Sequence, residues 1–182
     1  MDMWKYDLTL LQQKLLDHNI IDLGGEVDQD MATYVRVAIA YLVSADAPEI
    51  CVKISSNGGD IPPGLNIYDE LRLYPGRITG VVSLTADSMA AIILQACDHR
   101  QCMKHSTVTI HNMWRKLPID KIRNQSVLEK ELADMEKWQL RINMIYVERT
   151  KRTLRAIMRQ SDKDKPMTAE EALKFHLIDE II

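Results

Sequence analysis

The sequence predicts an α/β domain in which helices cover a mostly parallel sheet. Three observations lead there. Residues 49–113 alternate strand-like and helix-like segments, the order of right-handed βαβ units. Residues 28–45 place apolar side chains at 31, 35, 39 and 42, which is one face of a helix. Residues 124–150 are charged, with apolar positions at 128, 132, 135, 138, 142 and 145. That period is also helical, but the helix is too long to bury its apolar face alone, so it is expected to meet another subunit.

Each element has a local reason. Residues 7–17 (DLTLLQQKLLD) read as a short helix, and HNIIDLGGEV as a short strand running into a Gly-Gly turn. The helix of 28–45 ends at Ala47-Pro48, because the residue before a proline is steered out of the α region. EICVKISS, 49–56, is rich in β-branched residues and bounded by NGGD, so it reads as a buried strand. IPPGLNIYDELRLY follows as a helix, its prolines near the start, where a missing N–H is tolerated. RITGVVSL, 77–84, is a second strand, SMAAIILQAC, 88–97, a second helix, and QCMKHSTVTIHNM, 101–113, further strand. Thr153 caps LRAIMRQ, SDKDKP is a loop, and Thr168 with Glu171 makes a capping box for AEEALKFH. The chain closes on LIDEII, a short apolar end.

Composition narrows the function. A chain of 182 residues suits one domain. Its 23 basic against 26 acidic residues leave a net charge of −3, so there is no electrostatic argument for nucleic acid or a membrane surface. No apolar run approaches the ~20 residues of a membrane span. MDMWKYDLTL lacks the basic-then-apolar order of a signal peptide. Three cysteines, Cys51, Cys97 and Cys102, fit buried thiols in a reducing compartment, and a cytoplasmic location is expected.

Two strand-to-helix turns can carry chemistry. In SSNGGDIPPG, 55–64, paired glycines let backbone N–H groups approach a ligand or an oxyanion; they can equally make a plain turn. In TADSMAAI, 85–92, Ser88 sits at a helix start, as a nucleophile beside the positive end of the dipole or as an ordinary cap. His111 in VTIHNM can be a base or a structural histidine. Asp164 in SDKDKP can be a functional carboxylate or a solvated one. Cys97, His99, Cys102, His105 and His111 cluster in sequence, which can suggest zinc. Their spacing matches no closed finger, and no metal or other cofactor is expected.

Taken together these segments resemble the ClpP family, the proteolytic subunits of Clp proteases, over residues 15–182. KISSNGGDIPPGLNIYDEL resembles the family's strand, Gly-Gly turn and helix. ADSMAAII resembles the stretch around the nucleophilic serine and VTIHNM that around the catalytic histidine. SDKDKPMTAEEALKFHLIDEII resembles the C-terminal segment with its aspartate. The resemblance implies a ClpP/crotonase-like spiral of βαβ units with a projecting helical handle. It implies a single domain: 1–14 as a short N-terminal segment, 15–113 as the core, 114–150 as the handle, and 151–182 as helices closing the site. It implies a serine endopeptidase with Ser88 as nucleophile, His111 as general base and Asp164 as the group orienting the histidine. The N–H groups of Gly59 and Met89 match the oxyanion hole, and Gly58, Asn112, Met113 and Trp114 match positions that bind substrate. The implied partners are unfolded polypeptides, further copies of the chain in a heptameric ring, single or stacked, and an AAA+ Clp ATPase.

The sequence departs from the family in three places. Asp87 and Asn57 replace the usual small residue and proline, and Asp87 is expected to cap the helix after Ser88. WRKLPIDKIRN, 114–124, replaces a glycine-rich strand, so Trp114, Arg115 and Lys116 would meet peptide or a neighbouring subunit differently. The N-terminal segment is short, which leaves docking to an unfoldase open. These departures fit a divergent bacterial or bacteriophage relative. Two alternatives stay within the fold: a catalytically weakened assembly subunit, and a crotonase-type acyl-CoA enzyme using the same two N–H groups.

Overall fold

A computed structural model describes residues 3–114, 119 and 124–182. The chain forms two compact units, Met1–Thr109 with Pro166–Ile182, and Ile110–Lys165.

The first unit begins with α1 (Met3–Leu16), β1 (Ile20–Val27) and α2 (Gln29–Ser44). Asp28 caps α2 by accepting from the Met31 N–H at 2.8 Å, and the helix buries Met31, Val35, Ile39 and Leu42, the expected face. β2 (Ile50–Gly59), α3 (Ile61–Leu73), β3 (Ile78–Asp87), α4 (Met89–Leu94) and β4 (His99–Cys102) follow, then β5 (Thr107–Thr109). The unit closes with β6 (Met167–Thr168), α7 (Ala169–Phe175) and β7 (Glu180–Ile181). The strands run in the order β1-β2-β3-β4-β7, all parallel; β5 continues beside the end of β3, and β6 pairs antiparallel with β5. This is the parallel sheet the strand–helix alternation predicts.

Several boundaries differ from the sequence reading. Gly24-Gly25 is not a turn. β1 runs through it with a shift of register between Gly24 and Glu26, and Gly25 takes φ +92°, a bulge that only glycine adopts easily. β2 continues through Asn57-Gly58-Gly59, because β1 is still beside it, with Glu26 opposite Gly58 and Val27 opposite Gly59. β3 continues to Asp87 because β5 offers a partner there. The segment 101–113 contains a strand end and one short strand, separated by residues 103–106.

Among the described residues α4 is the shortest helix, and all six of its residues are buried. A helix apolar on every side belongs inside. Ile92, Ile93 and Leu94 are each at most 1% exposed, and each contributes about 1.5–3 kcal/mol of transfer free energy. Its far end is held by polar contacts. Gln95, fully buried, donates to the carbonyls of Ala91 and Leu177 and accepts from Arg100 Nη1 at 2.6 Å. Arg100 also grips the Asp179 carboxylate with Nε and Nη2, at 2.9 and 2.5 Å. Burial alone would raise the Asp179 pKa, but hydrogen bonds from the Arg100 side chain and backbone, with its charge, hold it below the usual value. The expected Thr168–Glu171 capping box is present on α7.

The second unit holds α5 (Gln125–Thr150) and α6 (Leu154–Ser161). Asn124 caps α5 by accepting from the Val127 N–H, and Thr153 caps α6 by accepting from Ala156. Ile142, Tyr146 and Ile157 are buried, while Leu132, Leu140 and Met144 on α5 are about half exposed.

Candidate active site

Ser88 stands between the last residue of β3 and the first of α4, with φ 55° and ψ −121°. A non-glycine residue pays about 1–3 kcal/mol to sit in such a sparsely populated region, and it stays there only when its surroundings hold it. They do. The Ser88 N–H donates to the Thr109 carbonyl at 3.0 Å, and the Ser88 carbonyl accepts from the N–H of Ala91 at 3.1 Å. Ser88 occupies the N-cap position of α4, yet its side chain makes no capping hydrogen bond, and among the described residues its hydroxyl has no other partner. The N–H of Met89 is the first in the helix and has no carbonyl four residues back to bond.

The glycine turn packs directly on this junction. A Cβ added to Gly58 would stand 2.6 Å from Ser88 Cβ, 2.7 Å from the Asp87 carbonyl oxygen and 2.9 Å from the Met89 nitrogen. Gly58 also takes φ +89° and donates its N–H to Ser56 Oγ at 3.1 Å. Gly59 is in close contact with the Val27 backbone. Four of the expected residues, Ser88, Met89, Gly58 and Gly59, are therefore gathered at the carboxyl ends of parallel strands, where α/β folds place their ligand crevices.

Asp87 does not cap α4, which corrects the sequence expectation. It ends β3, and alternation along the strand turns its side chain to the face of Thr85, two residues back. Thr85 Oγ1 donates to Asp87 Oδ2 at 2.7 Å. Asn57 is exposed.

In the second unit, His111 lies two residues beyond β5 and is half exposed. Its Nδ1 is 2.7 Å from the carbonyl oxygen of Asn112. A carbonyl only accepts, so Nδ1 is the donor; in the neutral ring this leaves the lone pair on Nε2, the tautomer a general base needs. Asn112 donates to Asp162 Oδ1 at 2.8 Å, and the Met113 N–H donates to Gln139 on α5 at 2.7 Å. Asp164 adopts φ 46° in the loop after α6, with an exposed side chain, and among the described residues its carboxylate makes no hydrogen bond with His111. Trp114 is 70% exposed; Arg115 and Lys116 lie outside the described residues.

The cysteines have no comparable setting. Cys97 and Cys102 are buried. Burial, with the charge of Glu170, pushes the Cys102 thiol up to about 11, so it stays protonated at neutral pH. Among the described residues no three His, Cys, Asp or Glu side chains gather as a metal ion would require. No helix among them is long and apolar enough to cross a membrane.

The fold and the serine junction define a mixed α/β protein with a reactive-looking turn at the ends of a mostly parallel sheet. The family model described as Clp protease matches residues 5–182, nearly the whole chain, and the chain belongs to that family. At the level of the family it is a ClpP-type peptidase.

Proposed function

We propose that this chain is a serine endopeptidase, the proteolytic subunit of a self-compartmentalised protease. The observation that carries the reading is Ser88: a strained, braced backbone with a hydroxyl that does not cap α4, beside two glycines and a helix N-terminus. In this reading Ser88 Oγ attacks a peptide carbonyl while His111 Nε2 takes its proton. The N–H groups of Gly59 and Met89 bind the oxyanion, a contribution that costs about 10²–10³ in rate when one donor is lost. His111 then protonates the leaving amine, and water hydrolyses the acyl-enzyme by the same route. Asp164 orients His111 and stabilises the imidazolium. Asn112, Met113 and Trp114, which follow the base in the chain, bind substrate together with Gly58.

The substrates are unfolded polypeptides, delivered by an AAA+ ATPase to a ring of copies of this chain in the cytoplasm. Exposed apolar side chains support self-association: Leu73 at 81% and Leu84 at 66% exposure in the first unit, and Leu132, Leu140 and Met144 along α5. A fluorophosphonate probe should label the protein at Ser88, and Ser88→Ala should abolish both labelling and peptide hydrolysis while the assembly persists. Peptide turnover that survives Ser88→Ala would sink the assignment.

The pairing of His111 with a neutral carbonyl favours one alternative, an assembly subunit of weak activity. Ser88 would then label slowly, and the assembled particle would turn over little peptide. The crotonase-type reading predicts no labelling of Ser88.

A further inference from the structure

We infer that Asp87 is a positioning residue for Ser88, acting through a polar ladder between β3 and β5; this rests on the reading of Ser88 as nucleophile. The two strands pair in parallel, with Thr85 opposite Thr107 and Asp87 opposite Thr109. Partners across a ladder point to one face, as do residues two apart along a strand, so all four side chains share a face. Thr85 Oγ1 stands at the centre of what is bonded there. It lies 2.7 Å from Asp87 Oδ2, to which it donates, and 3.2 Å from Thr107 Oγ1. The residue opposite Asp87 supplies the carbonyl that receives the Ser88 N–H at 3.0 Å. The peptide entering the strained turn is thus tied to β5 by its backbone, and the residue before it is tied to its own strand by its side chain.

The ladder is not a stability device. Asp87 Oδ1 and Thr109 Oγ1 are both buried without a hydrogen-bond partner among the described residues. Buried orphans of this kind are costly and call for a reason. A small apolar residue at 87 would avoid the burden; the backbone ladder to β5 would remain, but the side-chain bond that adds to it beside the strained Ser88 would be lost. Turned back onto Thr85, the carboxylate also leaves the N-terminus of α4 open, where a side-chain cap would compete with an oxyanion for the same N–H groups.

The test is the rate at which a fluorophosphonate probe modifies Ser88 in the assembled protein. Misplacing a reacting atom by about 1 Å can cost 10²-fold, so Asp87→Ala and Thr85→Val should each slow the maximal labelling rate about tenfold while half-saturation stays put. The double variant should be no slower than the slower single, since both remove one bond. Asp87→Asn keeps an acceptor for Thr85 and adds a donor, so it should recover the rate to within about threefold. Wild-type rates in Asp87→Ala or Thr85→Val, multiplying losses in the double variant, or an Asn variant as slow as the Ala variant would overturn the inference while Ser88 stands. Absence of labelling in the unmodified protein would remove both. If Asp87→Ala does not fold, Thr85→Val and Asp87→Asn decide the matter.

Discussion

Ser88 and His111 belong to different compact units and are held by different means. Ser88 is fixed by backbone: two strands in register, a main-chain hydrogen bond to Thr109, and a glycine too close to admit a side chain. His111 is held by a neighbouring carbonyl in an exposed segment, and Asp164, its expected partner, bonds to no described side chain. Backbone bracing sets a position that cannot adjust without breaking the sheet. Side-chain pairing sets one that can be exchanged at the scale of a single hydrogen bond, about 0.5–1.5 kcal/mol. Ser88, the proposed nucleophile, is placed by the backbone, while His111, the proposed base, is oriented by whichever acceptor faces its Nδ1.

The largest effect should come from attacking the braced side. Gly58→Ala places a methyl on the Ser88 turn and forces a left-handed backbone on alanine. It should destabilise the protein by about 2–4 kcal/mol in denaturant titration and remove most Ser88 labelling. Full activity in that variant would show that the turn is not rigid. The foundation of α4 comes next. Asp179→Asn strands Arg100, which is 5% exposed. The loss should be about 2–3 kcal/mol, below the ~3–5 of a fully buried pair, because the Asp179 side chain is 35% exposed. Since folding depresses the Asp179 pKa, its contribution is present above the unfolded value of 3.8 and fades as pH falls through the lower folded value. Acid titration of stability should therefore flatten below about pH 4 in the Asn variant relative to the parent.

The softer side should respond more mildly. Asp164→Asn should lower kcat for a peptide substrate by about 10–10²-fold, because the Asn112 carbonyl still holds the productive tautomer and only the charge supporting the imidazolium is lost. A loss as large as that of His111→Ala would mean that Asp164, not the carbonyl, orients the histidine during turnover. The smallest effect isolates the strain. Ser88→Gly relieves φ 55° and Ser88→Ala does not. Both should be inactive, but the glycine variant should be more stable by about 1 kcal/mol, some 2–4 °C in Tm.

Much of this fold was legible locally. The apolar spacing of α2, the caps at Thr153 and Thr168, and the β-branched run of β2 follow from short-range preferences that tertiary contacts reinforce. Motif order brought Ser88, Gly58, Gly59, His111 and Asp164 to attention. The misreadings share one cause. Gly24-Gly25 looks like a turn, NGG like a strand's end and Asp87 like a cap, because each pattern is common locally. In each case a neighbouring strand supplied partners that the local window does not contain: β2 beside Gly24-Gly25, β1 beside Gly58-Gly59, and β5 beside Asp87.

Linear pattern was therefore enough for most of the elements, their order, the parallel character of the sheet and a short set of candidate site residues. Those depend on periodicity and residue type, which are properties of contiguous chain. What came from the folded arrangement is that Asp87 turns back to Thr85, that Ser88 is strained with its hydroxyl off the helix cap, and that His111 leans on the Asn112 carbonyl. Those depend on which backbone groups lie across a ladder or a loop, and on hydrogen bonds of 2.7–3.0 Å that no linear spacing encodes.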